Sequence, residues 1–191
     1  MGTLCFTATV SLDGYAADAS GGFQWSAPGE EVFDFHVERM AAVSAEVLGR
    51  RAHELMTYWL EDDPTWGDAE REFAVRWRDL DRVVASTTLT AEAVAPTGAR
   101  LVSDLDLDAL ARIVADADGE VEIFGPTTAA PAISAGMVEH FRLFVVPRIV
   151  GGGLRALPDG ASAALELVEQ RVFEGGTTLL HYRSVASGAP R

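Results

Sequence analysis

Two arginines follow a glycine at Gly49-Arg50-Arg51, and three hydroxyls follow a short apolar run at Ser86-Thr87-Thr88. Arginine suits phosphate because its planar fork donates two parallel hydrogen bonds. A third stretch of the same kind is Val121-Glu-Ile-Phe-Gly-Pro-Thr-Thr128. It reads as a strand running into Gly125 and then a helix. Pro126 fits the first helical turn, where a missing N–H does no harm. Thr127 and Thr128 add hydroxyls beside the free N–H groups of that turn, and the helix dipole favours an anion there. Each stretch alone is also what an ordinary turn looks like. Together they put phosphate-suited groups after three strands. In open α/β sheets, ligands bind outside the carboxyl ends of strands. The set therefore favours a dinucleotide.

Asp13 and Glu30 are the carboxylates singled out for a substrate, although Asp13-Gly14 also reads as an ordinary turn and Glu30 as an ordinary acid at a helix start. A carboxylate in an apolar cleft can hold a heterocycle through paired hydrogen bonds to ring N–H and amino groups. It can also raise the proton affinity of the acceptor atom. Trp25, Phe33 and Trp59 are suited to wall such a cleft, although packing in the core is the default for each. Gly151-Gly152-Gly153 lacks the Lys-Ser or Lys-Thr and the spacing of a nucleotide fingerprint, so it reads as a flexible loop. The four histidines show no metal-ligand spacing, and no metal is expected.

The elements that must position these residues alternate. Leu4–Leu12 reads as a strand ending at Asp13-Gly14, and a helix starts at Glu30 with acids in its first turns. Ala45–Gly49 is a strand, Arg51–Leu60 a helix, Glu61–Gly67 an acidic loop and Asp68–Leu80 a helix. Strands are expected at 82–86, 101–102 and 121–124, with an amphipathic helix over 105–117. His140–Val150 reads as one long strand, placed at a sheet edge or bulge by Pro147. A loop covers 151–160, and a hairpin over 165–185 turns at Gly175-Gly176. Strands alternating with helices and closed by a hairpin predict an α/β domain with a mostly parallel sheet and an antiparallel edge. Residues 1–186 are expected to form a single domain, and 187–191 a frayed tail.

Composition narrows the partners. The chain of 191 residues carries 29 acids against 15 bases, a net charge of −14. That argues against nucleic acid and against an anionic membrane surface. It leaves room for an anionic cofactor held by a local arginine cluster. There is no signal peptide pattern and no membrane-length apolar run. Cys5, the one cysteine, allows no internal disulfide. A cytoplasmic location is expected.

As a set, these motifs resemble the dihydrofolate-reductase-like superfamily. The branch is that of the C-terminal reductase domain of riboflavin biosynthesis enzymes. The residues that carry the resemblance are Val10-Ser-Leu-Asp-Gly14, Leu48-Gly-Arg-Arg51, Val83-Val-Ala-Ser-Thr-Thr-Leu89, Ile123-Phe-Gly125, Gly136-Met-Val-Glu139 and Val146-Pro-Arg-Ile-Val-Gly-Gly-Gly153. They span roughly residues 3 to 184. The resemblance implies a three-layer fold with a mixed, mostly parallel central sheet, helices on both faces and a C-terminal antiparallel hairpin. It implies an NADPH-dependent reductase acting on a pterin-like or pyrimidine-like heterocycle. The activity would be that of a 5-amino-6-(5-phosphoribosylamino)uracil reductase or a dihydrofolate reductase.

By the same resemblance, Gly49, Arg50 and Arg51 hold cofactor phosphates, and Ser86 and Thr87 lie near the adenosine 2′-phosphate. Gly125 and Thr127 meet the pyrophosphate, while Thr9 and Ala16 meet the nicotinamide carboxamide through the main chain. The spacing from Trp25 to Glu30 matches the pterin-binding acid of dihydrofolate reductases, and Asp13 is the riboflavin-branch counterpart. A homodimer is implied, with 141–150 as its edge. Three departures stand out: Pro126 replaces a small residue, Ala52-His53 replaces a Thr-aromatic pair, and Glu139 stands alone where an acidic pair is usual. Pro126 and Ala52 motivate an alternative of another class, a non-catalytic homodimeric module that binds a nucleotide or heterocycle.

Overall fold

The computed structural model describes residues 1–185; the expected tail at 187–191 lies outside them. Ten strands and six α-helices follow one another as β1 (Thr3–Ser11), β2 (Tyr15–Asp18), α1 (Glu30–Arg39), β3 (Val43–Gly49), α2 (Arg50–Met56), α3 (Asp68–Arg78), β4 (Asp81–Ala85), α4 (Ala91–Val94), β5 (Arg100–Val102), α5 (Leu107–Asp116), β6 (Glu120–Phe124), α6 (Pro126–Ser134), β7 (His140–Val146), β8 (Gly153–Arg155), β9 (Leu165–Val172) and β10 (Thr178–Ser184). Eight strands form one sheet in the order β5-β4-β3-β6-β1-β7-β10-β9, and β2 pairs with β8 in a small second sheet. This is the expected α/β fold: a mostly parallel sheet with an antiparallel end. Among the described residues no helix is long and apolar enough to cross a membrane.

Chain contacts divide the protein into two compact units. The first comprises Met1–Thr3 and Phe33–Phe124. In it β3 pairs in parallel with both β4 and β6, and β4 with β5. Parallel pairing needs a crossover between strands, which the intervening helices supply. The helices have local reasons to start where they do. Glu70 accepts the Gly67 N–H at 3.0 Å ahead of α3. Asp106 caps α5 by accepting the Ala109 N–H at 2.7 Å. Leu48, Met56, Phe73 and Trp77 pack with Val37 and Met40 into one apolar cluster.

The second unit comprises Leu4–Val32 and the chain from Gly125 onward. Here β1 and β7 are parallel, and β10 runs antiparallel between β7 and β9. Gly153 must be glycine where β8 meets β2. Its φ is +131°, and a Cβ there would collide with the Ala17 carbonyl oxygen.

Three sequence expectations need correction. The strand expected over 140–150 stops at Val146, because Pro147 lies beyond it rather than within it. Nor is β7 an edge: it pairs with β1 on one side and β10 on the other. The helix expected over 51–60 is α2 followed by a 3-10 turn at Thr57–Leu60. The stretch 153–155, read as loop, is a short strand paired with 15–18, for which no element was read.

Candidate active site

In the first unit, the parallel register sets Gly49 directly beside Ala85. The two phosphate-suited stretches therefore leave the same end of adjacent strands. Gly49 sits at the N-cap of α2 in extended backbone, so Arg50 and Arg51 start the helix. Both arginines are exposed. Arg50 has a loose partner in Glu54 at 3.9 Å; none is described for Arg51. Ser86 is partly committed, since its hydroxyl accepts the N–H groups of Thr88 at 3.2 Å and Leu89 at 3.1 Å. Thr87, beside it, is exposed.

Phe33 and Trp59 are brought together, with ring centroids 5.9 Å apart. They are not bare walls. Trp59 also packs on Phe73 at 4.8 Å and on Trp66 at 5.1 Å, and Phe33 on Phe73 at 5.5 Å. This is an aromatic core cluster whose outer rings keep some exposure.

In the second unit, Gly125 has φ +101° and ψ 129°, a conformation that L side chains rarely adopt. That backbone turns the chain from β6 into α6. Pro126 takes the first helical position as expected, which removes one N–H from the helix start. Thr127 is exposed and Thr128 half-buried. Thr9 lies on β1 across from Phe144. Ala16 falls at a register shift in β2, between Tyr15 and Ala17.

The two candidate carboxylates differ. Asp13 accepts the N–H groups of Val150 at 3.1 Å and Gly151 at 2.8 Å, one on each oxygen. The Ser11 hydroxyl, helped by these backbone bonds, holds its carboxyl below the usual range. Asp13 thus ties the loop after β7 to the end of β1. Glu30, the first residue of α1, is exposed and has no described side-chain bond. Its neighbour Glu31 is engaged, accepting the Glu174 N–H at 2.7 Å. Trp25 donates its Nε1–H to the Gly22 carbonyl at 3.0 Å. Among the described residues no group of three or more His, Cys, Asp or Glu side chains could hold a metal.

Sequence reasoning missed a buried polar ladder in the first unit. Register aligns Arg82 on β4 with Glu46 on β3, and Glu46 with Glu122 on β6. All three are buried. The Trp77 indole donates to Glu46 at 2.6 Å, and Arg39 donates to Glu122 at 2.6 Å. The Arg82 guanidinium lies 4.4 Å over the Trp77 ring. Burial is the largest influence on Glu46 and, with Glu122 beside it, pushes its carboxyl up to about 7 against the opposing Trp77 bond. An acid centred in each of two apolar strand runs, Ala45-Glu-Val-Leu and Val121-Glu-Ile-Phe, was the available signal. Glu46 and Glu122 lie mid-strand and Arg82 one residue from the start of β4, all away from the C-terminal ends where the phosphate-suited stretches lie. An open cleft of about 550 Å³ lies at the other end of β4 and β5, where Asp81, Arg100, Arg112 and Asp116 line it. It shares no residue with the phosphate-suited set.

A family model described as the RibD C-terminal domain matches residues 3–179. A search of curated proteins found no significant relative. Among solved structures, a putative riboflavin biosynthesis protein from Shewanella sp. PV-4 superposes with a TM-score of 0.75 at 22% identity, covering 96% of this chain and 99% of that one. A diaminohydroxyphosphoribosylaminopyrimidine deaminase/5-amino-6-(5-phosphoribosylamino)uracil reductase from Thermotoga maritima gives 0.67 at 16% identity, covering 96% of this chain and 57% of that one. A dihydrofolate reductase from Enterococcus faecalis, complexed with NADP(H), gives 0.61 at 14% identity, covering 95% and 96%. At these identities the structural likeness shows the fold.

Proposed function

The chain belongs to the RibD C-terminal domain family, and from that premise we propose that it is an NADPH-dependent reductase of a pterin-like or pyrimidine-like heterocycle. One observation carries the reading. Gly49-Arg50-Arg51 and Ser86-Thr87 leave adjacent parallel strands at the same end, with the exposed Arg51 uncommitted to any described partner. Such a pairing of guanidinium and hydroxyl donors suits the adenosine 2′-phosphate and neighbouring phosphates.

From the first unit, Gly49, Arg50, Arg51, Ser86 and Thr87 are assigned to cofactor phosphates. From the second, the turn at Gly125 and Thr127 is assigned to the pyrophosphate, with the main chain of Thr9 and Ala16 for the carboxamide. When bound, NADPH supplies the hydride for a C=N or sugar C1 carbon. The protein's part is then orientation and electrostatics. Glu30 is the better of the two acids for the heterocycle, because Asp13 already spends both oxygens on backbone N–H groups. A carboxylate at Glu30 can accept from ring N–H and amino groups at once.

NADPH consumption with dihydropterin and ribosylaminouracil-type acceptors tests this reading. Turnover with one acceptor, with KM raised in Glu30→Gln and the fold unchanged, is the expected result. Tight nucleotide binding with no turnover on either class would favour the non-catalytic binding module instead. One feature favours that alternative: Pro126 takes one donor from the start of α6.

A further inference from the structure

One face of α5 fronts the open cleft in the first unit. Ala109, Arg112, Ile113 and Asp116 all line it, at the three- and four-residue spacing of a single helical face. Ile113 is buried and, with Val102 of β5, supplies apolar lining. Arg112 and Asp116 are exposed. They stand one turn apart, where opposite charges ordinarily pair, yet among the described residues neither has an ion-pair partner. Asp118 also lines the cleft, and Arg100 of β5 holds Asp81 of β4 only loosely, at 3.7 Å with both side chains more than half exposed.

The acids sit at the unfavourable end of the helix. A helix C-terminus carries the negative end of the dipole and favours a base. α5 has no base in its last turn; it ends on Asp116, and Asp118 lies two residues on. That end is held in place. The Gly2 N–H donates to the Val114 carbonyl at 2.9 Å, and the Thr3 N–H to the Gly119 carbonyl at 3.2 Å. The Ser44 hydroxyl accepts the Gly119 N–H at 3.1 Å. A Cβ at Gly119 would lie 2.7 Å from the Ala42 carbonyl oxygen, so only glycine allows this approach. Two acids are thus fixed against the dipole, in the same cleft as two arginines.

That charge pattern selects a ligand class. A polyanion would meet Asp81, Asp116 and Asp118. A metal ion is not served either, since among the described residues no three acids converge as its ligands. A molecule with an ammonium at one end and a carboxylate at the other satisfies both signs. Side chains one turn apart on a helix start about 6 Å apart, and two extended residues span about 7 Å. A single amino acid holds its charges closer than that. The volume of about 550 Å³ is ordinary for a small-molecule site. We propose that this cleft binds an extended, dipeptide-sized zwitterion. Its carboxylate lies on Arg112 and Arg100, its ammonium on Asp116 and Asp118 at the carbonyl end of α5, and its apolar part against Ile113 and Val102.

Alanyl-leucine, titrated into the isotope-labelled full chain without nucleotide and followed by amide correlation spectra, tests the proposal. The cleft shares no residue with the phosphate-suited set, so the outcome is independent of nucleotide binding. Saturable shifts should appear at Arg100 and along 109–118, with a dissociation constant of about 1 mM or tighter. N-acetyl-alanyl-leucine amide, which lacks both charges, should cause none. Arg112→Gln and Asp116→Asn should each weaken binding about 5- to 10-fold, between the worth of an exposed ion pair and that of a charge-assisted hydrogen bond. Arg76→Gln, on α3, should leave it unchanged. The spectra themselves show whether each variant folds; if one does not, the comparison of free and blocked peptide decides. Absence of saturable shifts in the wild type overturns the proposal. So do equal shifts from the blocked peptide, or folded Arg112 and Asp116 variants that bind as the wild type does.

Discussion

The two units treat their sheet faces in opposite ways. In the first, Arg82, Glu46 and Glu122 lie in a row across three covered strands, where apolar residues are the rule. In the second, the face that carries Leu180 on β10 and, across from Tyr182, Leu167 on β9 is apolar and open, where polar residues are the rule. The difference teaches how far each face is satisfied within the chain. The two acids of the ladder take their partners from within the chain, Arg39 for Glu122 and Trp77 for Glu46. The open face keeps much of its apolar surface exposed, 49% at Leu167 and 73% at Val172.

The largest effect should come from breaking the ladder. Arg39→Met leaves Glu122 buried without its cation and should cost about 3–5 kcal/mol in urea denaturation. A loss within about 0.5 kcal/mol, as at an ordinary surface site, would mean the ladder does not hold the first unit. Next is the pH dependence of Glu46. Its folded pKa is raised from 4.5 to about 7, so folding favours the protonated form. The associated stability is complete below about 4.5 and is lost as pH rises through 7, on the order of 3 kcal/mol in all. Glu46→Gln keeps an acceptor for Trp77 and should flatten that loss between pH 5 and 8 in urea midpoints. An unchanged slope would assign the pH dependence elsewhere. The smallest effect belongs to the open face. Leu167→Gln should shift the stability of the chain by no more than about 0.5 kcal/mol, because that side chain is 49% exposed. A large loss would show that the face is packed from within, and the contrast between the units would fail.

Much of the fold was legible because local signals agreed with the tertiary arrangement. Gly49 and Gly125 each mark a strand passing into a helix, and both turns occur as read. The phosphate-suited residues were legible for the same reason, since each sits at a strand end that its own sequence announces. β2 and β8 were not. Tyr-Ala-Ala-Asp and Gly-Leu-Arg are too short to show a period, and only their mutual pairing makes them strands. Asp13 looked available because its partners, Val150 and Gly151, lie far along the chain. The acids of the ladder looked like breaks in apolar strands until parallel register placed Glu46 beside Glu122. The bulge at Val168, the extra residue between Leu167 across from Tyr182 and Glu169 across from His181, was illegible for a related reason: one extra residue changes which face every later side chain takes.

The most direct measurement is a calorimetric titration of the purified chain with NADPH and, in parallel, NADH, repeated on Arg51→Ala. Arg51 is exposed, so its loss should leave the thermal midpoint unchanged. The expected result is a low-micromolar or tighter NADPH site, preferred over NADH and weakened about 10- to 100-fold in the variant, as the loss of charge-assisted hydrogen bonds to phosphate predicts. Failure of the wild type to bind either nucleotide, or equal NADPH affinity in wild type and variant, would contradict the assignment of these strand ends to a phosphorylated cofactor.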